Sequence, residues 1–117
     1  MTYLEKATNL YQLINSGKMI DGFEKYYHQN VVMQEIGEEP RAGKDKNREY
    51  EINFMRMIKE FHGSGVLSIT SNEAEHKTMV ESWADITFQN DVRVKSQQVA
   101  VQTWKEDYIV NEIFYHK

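Results

Sequence analysis

The sequence has no cysteine, no block of lysine and arginine, and no long apolar run. Without cysteine there are no disulfides, no thiolate nucleophiles and no cysteine-based metal sites. Positive charge is not clustered and the formal net charge is −4, so a nucleic-acid partner is not expected. No stretch approaches the ~20 apolar residues that cross a bilayer, which argues against a membrane partner. The start, Met1-Thr2-Tyr3-Leu4-Glu5-Lys6, lacks the basic patch and apolar run of a secretion signal. A cytoplasmic protein is the expectation. Catalytic signatures are missing too. There is no Gly-x-Ser-x-Gly elbow, and Gly63-Ser64-Gly65 is too short for a phosphate-cradling loop. His28, His62, His76 and His116 show no metal-ligand spacing and join no carboxylate cluster. Neither a metal nor a cofactor is expected.

What the chain does have is aromatic side chains: seven Tyr, five Phe and two Trp in 117 residues. They suit a wide pocket, a plain core or a subunit interface. The length fits one domain over residues 1–117, with one core. Hydrophobic residues at 40% and charged residues at 27% mark a globular rather than a disordered chain.

The first half reads as helical. Thr2 with Glu5 fits a capping box, each side chain satisfying a free N–H at a helix start. Leu4, Ala7, Tyr11 and Ile14 then recur at helical spacing, and Asn15-Ser16-Gly17 ends the helix. A second helix over 19–27 buries Ile20, Phe23 and Tyr27. Residues 31–35 have the β-branched start of a short strand, and 37–43 form a loop that holds the only proline, Pro40. From 44 to 61 the period is helical again, with Tyr50, Phe54, Met57, Ile58 and Phe61 on one stripe.

After Gly65 the character changes. Four β-type runs, about 66–71, 76–88, 92–104 and 108–116, are separated by short polar connections of the hairpin kind. Helices first and hairpin-linked strands afterwards make an α+β domain. Strands of twelve or thirteen residues are long for so small a domain and must twist and bend around what they cover. The expected architecture is a cone-shaped roll: three N-terminal helices on a strongly curved, mixed but mostly antiparallel sheet.

Three local segments carry a resemblance: Leu13-Ile14-Asn15-Ser16-Gly17, Tyr26-Tyr27-His28-Gln29-Asn30-Val31-Val32, and Glu39-Pro40-Arg41-Ala42-Gly43. With the order of elements, they make essentially the whole chain resemble the NTF2-like superfamily. Within it the likeness is to the SnoaL-like branch of polyketide cyclases and ketosteroid isomerases. That resemblance implies a hollow that holds a small molecule. Ketosteroid isomerases place a general-base Asp at the end of the first strand, where Glu35 stands here. They pair a helix-1 Tyr with a protonated Asp on a later strand. Tyr11 lies about one residue from the first position, and the stretch Gln97-Gln98-Val99-Ala100-Val101 offers no acid for the second. An oxyanion hole short of one donor argues against steroid isomerisation.

Glu35 is therefore the candidate general base, since desolvation at an aromatic mouth raises a carboxyl toward neutrality. A solvated strand-end Glu beside Glu38 and Glu39 is the plainer alternative. Candidate pocket residues are Tyr11, Tyr27, Phe54, Ile58, His62, Trp83 and Gln98, with Asn111 and Tyr115 on the last strand. The opposite face of that strand, Val110, Glu112, Phe114 and His116, is an open alternative, because a one-residue slip exchanges the faces.

Two functions fit. One is a SnoaL-like binder of a small hydrophobic or aromatic molecule, which isomerises, cyclises or dehydrates it by general acid–base chemistry. The other is a non-enzymatic interaction domain whose cone is filled by side chains. A homodimer through the sheet is expected in either case.

Overall fold

The computed structural model describes residues 1–116. Helix α1, Tyr3–Asn15, opens on the capping box: Thr2 Oγ1 accepts from the Glu5 N–H at 3.0 Å, and Glu5 Oε1 accepts from the Thr2 N–H at 2.9 Å. Gly17, at φ +79°, closes it in the left-handed region that favours glycine. Helix α2, Met19–Tyr26, crosses α1 closely at Gly22. A Cβ there would stand 3.0 Å from Leu10 Cδ1. Ala7, Leu10, Phe23 and Tyr26 turn inward onto the sheet.

Strand β1, Tyr27–Glu35, follows at once and starts four residues earlier than expected. A two-residue strand β2, Arg41–Ala42, lies inside what the sequence reads as loop. Helix α3 spans Lys44–Arg56 and stops short of the expected 61, because strand β3 begins at Ile58 and runs to Asn72. Ile58 pairs with Phe88 and Phe61 with Ile86 across the sheet. Cross-strand hydrogen bonding over that length outweighs the local helical period. In consequence Met57 (51% exposed) and Phe61 (61% exposed) leave the expected buried stripe.

Strands β4, Lys77–Phe88, β5, Arg93–Lys105, and β6, Tyr108–His116, complete a six-stranded sheet of order β2-β1-β6-β5-β4-β3. Among the described residues only the β1–β6 pair is parallel. Three register shifts in the β3–β4 ladder, with one more each in β1–β6 and β5–β6, bend the sheet over the helices. The result is the expected α+β architecture: three helices packed on a mixed, mostly antiparallel sheet. No helix among the described residues is long and apolar enough to cross a membrane.

Candidate functional site

Ladder register decides which side chains enter the hollow. One row across the sheet aligns Met33, Glu112, Gln102 and Thr78; the next aligns Glu35, Phe114, Ala100 and Val80. Gln102, Glu112 and Thr78 have no exposed surface, so this face is the inner one. The open alternative on the last strand thus resolves to Glu112, Phe114 and His116. Asn111 and Tyr115 are corrected to the outer face, with Val101 opposite Ile113 and Val99 opposite Tyr115.

Helices and inner face enclose a cavity of about 250 Å³. Tyr11, Phe23, Tyr27, Tyr50, Phe54 and Phe114 supply rings to its wall, and Met33 and Ile86 add apolar surface. Of the residues named from sequence, Glu35, Tyr11, Tyr27, Phe54, Trp83 and Gln98 border it. Trp83 does so from the ladder position of the outer set, its ring lying against Gly63 and Gly65 with Lys95 above it. Ile58 and His62 do not border the cavity. Ile58 opens β3 at the far end of the sheet, and His62 is exposed and bonds Thr87 Oγ1 at 2.7 Å.

The cavity floor at Glu112 is backed by a buried polar relay, of which Glu112 alone borders the cavity. Trp104 Nε1 donates to Thr78 Oγ1 at 2.8 Å, Thr78 to Gln102 Oε1 at 2.7 Å, and Gln102 Nε2 to Glu112 Oε2 at 2.7 Å. The Tyr27 hydroxyl donates to the other oxygen, Glu112 Oε1. Burial nevertheless dominates. It pushes the Glu112 carboxyl up to about 7, while the bonds from Tyr27 and Gln102 pull it down and the charges of Glu51 and Glu35 push it up. Burial also pushes the Tyr11 and Tyr27 hydroxyls up, so both stay protonated donors.

The wall opposite is α3. Asn47, Tyr50, Glu51 and Phe54 share its inward stripe. Asn47 is fully buried and ties the helix to the preceding turn, donating to Arg41 O at 2.9 Å and Gly43 O at 2.8 Å. Its Oδ1 accepts from Arg41 Nε at 3.2 Å. Arg41 stacks 3.6 Å from the Tyr50 ring centre and reaches Glu35 Oε2 at 3.4 Å. His116 Nε2 lies 3.9 Å from the other Glu35 oxygen. Glu51 borders the cavity, and no described residue donates a hydrogen bond to it. Burial first, then the charge of Glu35, pushes its carboxyl up to about 7 against the pull of Arg41.

Sequence reasoning passed over Glu51 and kept Glu112 only within an alternative. The signal for Glu51 was its place between Tyr50 and Phe54 on the helical stripe. Among the described residues no group of His, Asp and Glu could hold a metal ion.

No protein-family model matches the sequence, and no curated protein matches it. Solved structures do. A Mesorhizobium loti protein proposed to be a SnoaL-like polyketide cyclase superposes with a TM-score of 0.84 at 25% identity, over 98% of this chain and 99% of its own. An NTF2-like protein of unknown function from Cytophaga hutchinsonii gives 0.74 at 12% identity, over 97% of each chain. The chain has the NTF2-like fold, and its likeness within that fold is to a SnoaL-like protein. SalBIII, an epoxide hydrolase/cyclase-like enzyme of pyran ring formation in the polyether salinomycin, has the same NTF2-like fold, with a TM-score of 0.79 at 20% identity over 98% of this chain and 90% of its own.

Proposed function

We propose that this chain binds a small hydrophobic or aromatic molecule in the cytoplasm and acts on it by general acid–base chemistry. The cavity holds the molecule among its rings, and Glu51 exchanges a proton with it. Glu35, the base expected from sequence, borders the same space, but its carboxylate is engaged by Arg41. Its part in the proposal is to help hold the Glu51 carboxyl up by its charge. The observation that carries the reading is a carboxyl at about 7, facing an apolar cavity with no donor of its own. Such a group is both acid and base near neutral pH, where general acid–base catalysis is most effective. Isomerisation, cyclisation and dehydration all need that property, and the cyclase names of two similar structures agree with it.

Volume limits the substrate. Apolar cavities of about 150 Å³ hold benzene, and drug-sized ligands use ~300–1,000 Å³. At about 250 Å³ the hollow suits one ring with short substituents. A cone filled by side chains, the non-enzymatic alternative, would leave no such space. With a turned-over ligand found by screening, Glu51→Gln should lower kcat by ~10²–10⁴-fold. The wild-type rate should inflect near pH 7. Unchanged turnover in the variant would refute the assignment.

The same proposal includes a homodimer through the outer sheet face, where Met79, Val99, Val101, Ile113 and Tyr115 gather by register. Light scattering should give twice the chain mass; a monomer mass would remove this part alone.

A further inference from the structure

We infer that the ligand of this cavity is a small aromatic amine, its ammonium group against Glu51 and its ring among the aromatic walls. The inference rests on the proposed binding function and narrows it to one class of molecule.

Charge makes the first selection. Three carboxyl groups, Glu35, Glu51 and Glu112, border the cavity, and among the described residues no Lys, Arg or His side chain does. A carboxylate or phosphate ligand would bring a further negative charge into that space without a partner. Arg41 does not change this. Its guanidinium is committed to Asn47, Glu35 and the Tyr50 ring.

Partners make the second selection. Glu35 has Arg41 and Glu112 has Tyr27 and Gln102, whereas Glu51 faces the hollow with no donor. The charged groups acting on it are Glu35 from β1, which pushes its carboxyl up, and Arg41 from β2, which pulls it down; Glu51 in turn pushes Glu112 of β6 up. A neutral apolar ligand would leave Glu51 protonated and unanswered. An ammonium group brings up to three donors and a full positive charge, and so supplies what the site lacks. Aromatic faces around it attract a cation further. Phe54 stands one turn from Glu51 on the same stripe, and Tyr50 stands beside it. The volume admits one ring carrying an aminomethyl arm.

Three probes that share a benzyl group separate the possibilities: benzylamine, benzyl alcohol and phenylacetate, titrated calorimetrically into the full chain at pH 6 and pH 8. Benzylamine should bind and tighten about tenfold between those values, as a group at about 7 passes from about one-tenth to nine-tenths ionised. At pH 8 benzyl alcohol should bind at least tenfold more weakly, and phenylacetate not at all. In Glu51→Gln the preference for amine over alcohol should vanish while the alcohol still binds, which shows the cavity intact. Alcohol binding as tight as amine binding, binding of phenylacetate, or a preference that survives in Glu51→Gln would each overturn the amine assignment and leave the pocket standing. If none of the three binds, the inference falls and the binding function falls with it.

Discussion

The floor and the α3 wall of the cavity each hold a carboxyl pushed up to about 7, fully buried at Glu112 and half-buried at Glu51, and they treat it in opposite ways. On the floor, Glu112 is the terminus of a relay through Gln102, Thr78 and Trp104, and Tyr27 caps its second oxygen. On the wall, Glu51 meets no donor among the described residues. A carboxyl whose oxygens are both bonded within the fold is structural, because any ligand must compete with bonds already made. One whose oxygens face only a cavity keeps its hydrogen-bonding capacity for whatever enters. Equal titration points therefore hide unequal availability.

The strongest way to break this comparison is to cut the relay at its centre. Gln102→Leu keeps the bulk but removes the donor to Glu112 and the acceptor for Thr78. Leaving two buried polar groups short of a partner should lower the unfolding free energy by about 4 kcal/mol. Urea denaturation measures it. A loss below about 1 kcal/mol would show that the floor is not the structural element argued for.

Next in size is a gain. The Glu51 carboxyl is at about 7 in the fold against an ordinary 4.5, so the folded state holds a proton that the unfolded chain releases. Its contribution is best below pH 4.5, declines as pH rises toward 7, and stays at its worst above. Glu51→Gln should therefore be neutral near pH 4 and stabilising by on the order of 3 kcal/mol at pH 8. Melting curves at the two pH values give the sign directly. Equal stabilisation at both would mean that desolvation of the charge is not what the wall costs.

Much of this molecule could be read from its residues, and the failures have physical causes. The capping box at Thr2 and Glu5, the glycine stop at Gly17 and the three C-terminal hairpins are local features, and local rules locate them. Residues 57–61 misled because Met57, Ile58 and Phe61 keep a helical spacing that pairing with β4 overrides, and pairing is invisible until both strands are placed. The site was half legible. Tyr11, Tyr27, Phe54 and Gln98, named from the sequence, do border the cavity, although spacing alone left the face of Gln98 open. Glu112 could not, because the two faces of the last strand are equally apolar and only its register with Gln102 separates them. Glu51 was missed for a different reason: a glutamate on a polar helix is ordinarily solvated, and only the cavity beside it makes this one unusual.

The smallest effect is also the sharpest test of whether floor and wall are separate. Tyr27→Phe removes one of the two donors to Glu112 and nothing from Glu51. That hydrogen bond favours the ionised carboxylate, so without it Glu112 should titrate above its present value of about 7. The stability cost should appear only where Glu112 is charged: roughly 1–2 kcal/mol at pH 9 and little at pH 5. Carboxyl-carbon NMR of the two glutamates follows both titrations in one sample. Glu112 should move upward and Glu51 should hardly move, since it feels the floor only as a more distant charge. If the two shift together by similar amounts, they share their protons as one unit. Glu51 would then have no independent availability for a ligand, and the division between a structural floor and a reactive wall would be wrong.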